Sequence, residues 1–381
     1  MDERFLILSF YARLRAFMAF LRFRVYGKER LAIIYPLMKR RLLPSLLLPV
    51  LVLASCGKTP VFYSGSNIDV FHSFFTWNYE TTEGDISDEI QDFTFRLGRL
   101  CDPYSESTYQ NLWSINQTND PVAVEDDLFD ILSLAVDLQE KTEGYFNPLI
   151  GKLTLLWKET LFGLDGEKRN EGPTREEIKA AEAQVPALVR EMEASSLVLD
   201  PVAKTVQRVG GAHIDLGGLV KGYSTERVKQ MVQGIGSKHY VINGGQSSIS
   251  FGTTKDGNPY NVSLQYSVVP KENTYSLADS DISTSAIYEQ YLYINGIAYS
   301  HVINPKTGLP NADYSMAFLV GNNSALLDAF STSVMIAGPE KAREWGAKFG
   351  FEYALFDDMF KGYARLVEES ETLTEKRVSA K

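Results

Sequence analysis

Apolar residues at Ile86, Ile90, Phe93, Leu97 and Leu100 recur at three- and four-residue steps, which draws a single stripe along a helix. A second stripe over 126–141 predicts another helix, closed by Gly144, and the polar stretch 101–116 between them reads as a loop. Thr174 and Glu177 have capping-box spacing and open a helix over 174–185, whose Lys/Glu-rich positions mark a solvated face. The period then shortens towards two. SLVLD (196–200) and TVQRV (205–209) read as a hairpin around Asp200 and Pro201. Residues 213–234 read as a short apolar run, a glycine turn and an amphipathic helix; 239–245, 261–266 and 291–296 read as strands, ahead of a strand-helix-strand unit over 315–356. Helices and strands interleave without βαβ regularity, so the expected class is α+β, one large domain with antiparallel or mixed sheets flanked by helices. Its expected limits are 74–366, between a Gly/Ser/Asn-containing tether at 56–73 and a charged tail at 367–381.

The first 55 residues read differently. The apolar stretch 5–23 carries Arg13, Arg15 and Arg22, each costing about 2.5–3.5 kcal/mol at mid-membrane, which disfavours a spanning helix. The run from Leu42 to Ala54 would rise only about 20 Å as a helix, against a hydrocarbon core of about 30 Å. Lys39, Arg40 and Arg41 precede it, and Leu53, Ala54, Ser55 and Cys56 follow, so 38–55 has the layout of a bacterial lipoprotein signal peptide. In that pattern Cys56 becomes the acylated N-terminus and holds an extracytoplasmic domain against a membrane. Met38 is then an alternative start, and 1–37 an extension ahead of it.

Charge sharpens this division. The chain has 38 basic and 48 acidic residues; residues 1–55 hold ten of the bases and three of the acids, which leaves 28 against 45 from residue 56 onward. A body so acidic repels phosphodiester backbones, and no nucleic-acid partner is expected. With two cysteines, Cys56 and Cys101, neither a disulfide framework nor a cysteine metal site is available.

Three segments carry candidate chemistry. In IDLGGLVKGY (214–223), Gly217, Gly218 and Gly222 bare the backbone of a strand-to-helix turn, as phosphate contact requires, and Lys221 adds a cation; an ordinary tight turn has the same composition. Asp215 there has two available jobs, capping the helix or accepting hydrogen bonds from a ligand. In YSHVINPKTG (299–308), His301 stands beside a polar turn. In SALLDAFSTSVMIAG (324–338), Asp328 and Thr332 share one helical face and offer hard oxygens suited to Mg²⁺, unless Thr332 bonds back to the Asp328 carbonyl.

These segments, with DPYSE (102–106), EGYFNPLIG (143–151), VINGG (241–245) and STS (283–285), resemble the ApbE family of FAD:protein FMN transferases from about Phe74 to Leu355. The resemblance implies an enzyme that uses FAD as substrate and Mg²⁺ as cofactor, moves FMN onto a threonine of a flavin-acceptor protein and releases AMP. It implies metal contacts from Gly218, Asp328 and Thr332, and flavin-nucleotide contacts from Asp215, Gly217, Lys221 and Asn147, the last standing where Asp is usual. His301 is the candidate to orient or deprotonate the incoming hydroxyl. Hydrolysis of FAD to FMN and AMP, or flavin binding by a lipoprotein without catalysis, are the alternatives.

Overall fold

A strand of small and polar residues, β1 (Val61–Val70), pairs antiparallel with β2 (Ser73–Thr81). The computed structural model describes residues 59–163, 172–264, 273–287, 290–294, 297–311, 313–357 and 365–378. On β2, Phe75, Trp77 and Tyr79 alternate into the core, and Gly65 of β1 leaves the space that the Trp77 indole fills.

Helix α1 (Ser87–Leu100) buries the predicted stripe, with Ile86 at its N-cap. The expected loop 101–116 contains a short helix, α2 (Leu112–Asn116), too brief to show a period and opened by a capping box between Asn111 and Ser114. After β3 (Val122–Ala123) come α3 (Asp126–Lys141), with the predicted bounds, and α4 (Gly151–Leu161). Thr174 and Glu177 cap α5 (Arg175–Glu193), which runs beyond the expected end at 185. Pro186 removes one helical hydrogen bond, but Ile178, Ala181, Val185 and Met192 stay buried on both sides of it. The hairpin of β4 (Ser196–Asp200) and β5 (Thr205–Val209) is as predicted.

The second half begins with α6 (Val220–Gly234), β6 (Tyr240–Gly244) and β7 (Ser248–Phe251). Then come the hairpin β8 (Tyr260–Ser263) and β9 (Thr274–Leu277), the longer β10 (Ser280–Ala286), and the hairpin β11 (Tyr291–Ile294) and β12 (Ile297–Ser300). The predicted strand-helix-strand unit gains a second helix: β13 (Met316–Gly321), α7 (Ser324–Ala337), α8 (Pro339–Phe349) and β14 (Glu352–Asp357). It is followed by β15 (Arg365–Glu369) and α9 (Glu371–Glu375).

Among the described residues, the order β1-β2-β6-β7-β10-β13-β14-β15 makes one eight-stranded sheet with every neighbouring pair antiparallel. The architecture is α+β, as expected. Helices α1, α6 and α7 cover one face over Trp77, Leu97, Ile242, Leu319 and Phe330. On the other face, Phe251, Tyr275, Phe318 and Leu373 form a second core beneath β8, β9 and α9.

Both expected domain limits need correction. Residues 61–73 are a paired strand and its turn: the run Ser64, Gly65, Ser66 and Asn67 in the middle of β1 has the composition of a tether, but it is held in register against β2. The tail folds as well, because Leu373 is fully buried, Arg377 pairs with Glu369 at 2.8 Å and the Val378 amide donates to Thr274 O at 2.7 Å. Residues 1–58, with Cys56 and the signal-like segment, lie outside the described residues; among those described, no helix is long and apolar enough to cross a membrane.

Candidate active site

The glycine turn is pinned from behind. Asn116 brackets Ile214, accepting from its N–H at 2.7 Å and donating to its carbonyl at 3.0 Å, while the amides of Gly151 and Asp215 donate to His213 O and Pro148 O. Ile214 and Leu216 are buried in the core, and Asp215 between them, in the segment just after the His213 bridge, is half-buried and faces Thr154 and Tyr104. Asp215 does not cap α6, whose N-cap is Leu219. Its Oδ1 accepts from Gly217 N at 2.7 Å, and its Oδ2 accepts from Thr154 Oγ1 at 2.8 Å and Tyr104 OH at 3.3 Å.

Beyond the turn, α6 and α7 meet almost backbone to backbone. A side chain at Gly222 would collide with Asp328 Cβ and Ser324 O; glycine instead lets its N–H donate to Asp328 Oδ2 at 2.7 Å. The first turn of α6 thus directs an amide at a carboxylate, the favourable sense for a helix N-terminus. Helix α7 is buried nearly all round, consistent with its apolar sequence, and Asn323 caps it by accepting from Leu326 N.

Asp328, 4% exposed, is joined on Oδ1 by Ser283 Oγ at 3.3 Å. Burial raises its pKa, opposed chiefly by the charge of Lys221 and by the Gly222 amide. Ser331, not Thr332, makes the back-bond to the Asp328 carbonyl, at 3.0 Å. Thr332 Oγ1 instead lies 2.9 Å from Ser285 Oγ, which also contacts Ser331 Oγ at 2.7 Å. A Cβ built on Gly218 would sit 3.8 Å from Thr332 Oγ1, so the turn borders this group. The result is a carboxylate and several hydroxyls beside a bare turn. Among the described residues no three His, Cys, Asp or Glu side chains are placed to hold a metal ion together; the donors at this turn are one carboxylate and hydroxyl oxygens. A buried carboxylate with no cationic side chain bonded to it, ringed by hydroxyls, fits a hard divalent ion such as Mg²⁺.

Lys221 stands at the edge of this cluster. Its stem runs past Gly245, where a Cβ would lie 3.1 Å from Lys221 Cδ, and among the described residues its amine forms no ion pair. His301, just after β12, is near enough to feel the same charge. His301 keeps an exposed face, but the protein around its ring lowers its pKa below the ordinary histidine value; the Gln290 carbonyl partly offsets this, and Lys221 lowers it further. His301 Nδ1 lies 3.2 Å from Gln290 O. Since a carbonyl only accepts, Nδ1 carries the hydrogen and Nε2 keeps its lone pair.

Asp328, Thr332, Gly218, Gly222 and Lys221 therefore come together, with His301 electrostatically coupled to Lys221, while Asp215 and Gly217 lie on the turn's other flank beside Tyr104 and Thr154. Asn147 is held apart. Its Oδ1, expected to serve a ligand, accepts from Leu149 N at 2.9 Å, and the residue lines a separate depression with Gly144, Pro305 and Lys306. Reading the chain for single motifs gives no signal for Thr154 or Ser331, which lie on helices among ordinary neighbours; Tyr104 lies within DPYSE (102–106), a stretch that attaches no role to it.

Against this geometry the comparisons are consistent. The model of the ApbE family matches residues 69–355. The FAD:protein FMN transferase of Escherichia coli (strain K12) is 25% identical over 265 residues, covering 68% of this chain and 73% of that protein. Its counterpart of the same name from Vibrio cholerae is 26% identical over 283 residues, covering 70% and 81%. In structure, the ApbE protein of Thermotoga maritima aligns with a TM-score of 0.67 at 21% identity, over 84% of this chain and 100% of that one. The flavin transferase ApbE from Vibrio cholerae gives 0.65 at 22%, over 84% and 99%. At those identities the structural likeness speaks for the fold, whereas the match to the family model spans most of the chain: this protein belongs to the ApbE family.

Proposed function

We propose that this protein is an FAD:protein FMN transferase that moves FMN from FAD onto a threonine hydroxyl of an acceptor protein and releases AMP. The observation that carries the reading is the meeting of Asp328, Thr332 and Ser285 with the Gly218 turn, flanked by Lys221 and a His301 with its Nε2 free. It is supported by the names of relatives in Escherichia coli and Vibrio cholerae.

Asp328, Thr332 and Gly218, with Ser285 beside them, would hold Mg²⁺. Bound there, the ion neutralises the pyrophosphate and the charge that builds on the departing phosphate. Lys221 binds an anionic phosphate oxygen at the edge of the cluster. Gly217 and Gly218 let the dinucleotide approach the backbone, and Asp215 with Tyr104 contacts the flavin nucleotide on the other flank. His301, neutral at pH 7, accepts the threonine proton at Nε2. The oxygen so freed forms a bond to the FMN-side phosphorus, and the bond from that phosphorus to the bridging oxygen breaks, leaving that oxygen on AMP. Attachment to an extracytoplasmic membrane face through a lipid on Cys56 belongs to the same proposal and rests on the sequence of 38–56. Cys56→Ser should move the protein from the membrane to the soluble fraction; unchanged fractionation would rule the anchor out.

The test of the activity is incubation with FAD, Mg²⁺ and a threonine-bearing acceptor peptide. Flavin fluorescence that stays with the peptide after denaturation supports transfer. Free FMN with an unlabelled peptide means hydrolysis, and unchanged FAD means binding alone.

A further inference from the structure

We propose that Lys229 is a positioning residue for the cation site, a single buried ammonium that ties α6 to β10 and to the turn before α7, the two elements that carry the site's side-chain oxygens. This rests on the reading above. Lys229 lies on α6, two helical turns past Gly222, and is 7% exposed. Its Nζ donates to Asp281 Oδ2 on β10 at 2.6 Å and to Asn322 O, in the turn before α7, at 3.1 Å, and it pairs with Glu226 Oε2 on α6 at 2.7 Å. Three acceptors satisfy the three N–H bonds of an ammonium.

Each contact leads to a proposed ligand by a short, stiff path. Asp281, 1% exposed, shares the inward face of β10 with Ser283 and Ser285, two and four residues along. Glu226 Oε2 also accepts from the Ser324 amide at 3.0 Å, and Asp328 is one turn beyond Ser324 on α7. On α6 itself, Gly222 gives its amide to Asp328. An apolar side chain of similar volume would fill the same space. What it would not supply is a set of directional bonds fixing β10, α6 and the start of α7 in one register. Lys229 contacts none of the proposed ligands, so its effect on the cation passes through where these elements stand.

The experiment uses the full chain with Mn²⁺ as probe, titrated without FAD or peptide and followed by its electron paramagnetic resonance signal, alongside thermal unfolding. Two variants are compared with the parent. Lys229→Met removes the ammonium, and Asp281→Asn takes the charge out of its contact with β10, keeping an amide oxygen there and leaving the Lys229–Glu226 pair in place. The expected result is cation affinity weakened about 10- to 100-fold in Lys229→Met, as for other residues that orient metal ligands from behind, and weakened less in Asp281→Asn. The half-saturating Mg²⁺ concentration for transfer should rise in parallel. Should Lys229→Met fail to fold, Asp281→Asn decides. Folded variants that melt earlier yet bind Mn²⁺ like the parent would reduce the triad to a fold-stabilising role and overturn the proposal. A parent protein that binds no Mn²⁺ would instead remove the cation reading itself.

Discussion

The two flanks of the glycine turn are built in opposite ways. On one, Asp328 is buried and Thr332 and Ser285 half-buried, all on regular stretches of helix and strand and backed by the buried Ser283 and Ser331, with Gly222 giving α6 and α7 their close contact. On the other, Tyr104 is 38% exposed, Asp215 is half-buried, and the residues around them come from loops and from α4. The contrast fits a division of labour. Oxygens that grip a small hard ion must be fixed to within fractions of an ångström, which buried elements provide. Contacts to a large nucleotide tolerate adjustment, and loops on a rigid scaffold suffice.

That comparison predicts a graded response. Asp328→Ala should remove the ion and with it several kcal/mol of charge stabilisation, about a thousandfold in rate; steady-state transfer at saturating FAD is the check, and parental activity would dissolve the distinction between flanks. His301→Gln should cost about a hundredfold in kcat, with FAD affinity preserved. Because the His301 pKa is depressed, the parental rate should hold as pH falls to the ordinary histidine value of about 6.5 and decline below it, as Nε2 becomes protonated. Removing a neighbouring cation raises a histidine pKa, so Lys221→Met should shift that decline to higher pH; a pH–rate profile left in place would show that the two groups are not coupled. Gly222→Ala forces a methyl into Asp328 and should destabilise the fold by about 1–3 kcal/mol, read from the denaturant midpoint. At the exposed flank, Tyr104→Phe deletes one long hydrogen bond to Asp215, so FAD should bind only about twofold more weakly, near the low end for a single such bond. A large loss there, by fluorescence titration, would make that flank as exacting as the buried one.

The same contrast explains what could be read from the chain beforehand. Asp328 and Thr332 were legible because a four-residue step on an apolar helix puts two oxygens on one face whatever the helix packs against. The glycine turn was only half legible: three glycines beside an apolar run mark a turn, but an ordinary tight turn has the same composition, and only the neighbouring α7 shows what it borders. Lys229 was not: on an amphipathic helix a lysine reads as solvated, and its partner Asp281 is 52 residues away, with nothing local to announce the pairing. The single Leu373 among charges, and the Ser-Gly-Ser-Asn run inside β1, likewise hid elements that become plain only once the sheet is assembled. Asn147 stands apart for the converse reason: its residue type suits a ligand, but its place in the fold, with a local backbone amide donating to its Oδ1, is not announced by the sequence.

Intact-mass analysis of an acceptor protein, incubated with FAD and this enzyme in Mg²⁺ and again in excess chelator, tests the central claim most directly. The account predicts an added FMN on the target threonine, with AMP in equal amount, in the first reaction and neither in the second. An unmodified acceptor in Mg²⁺, or equal labelling under chelation, would contradict it.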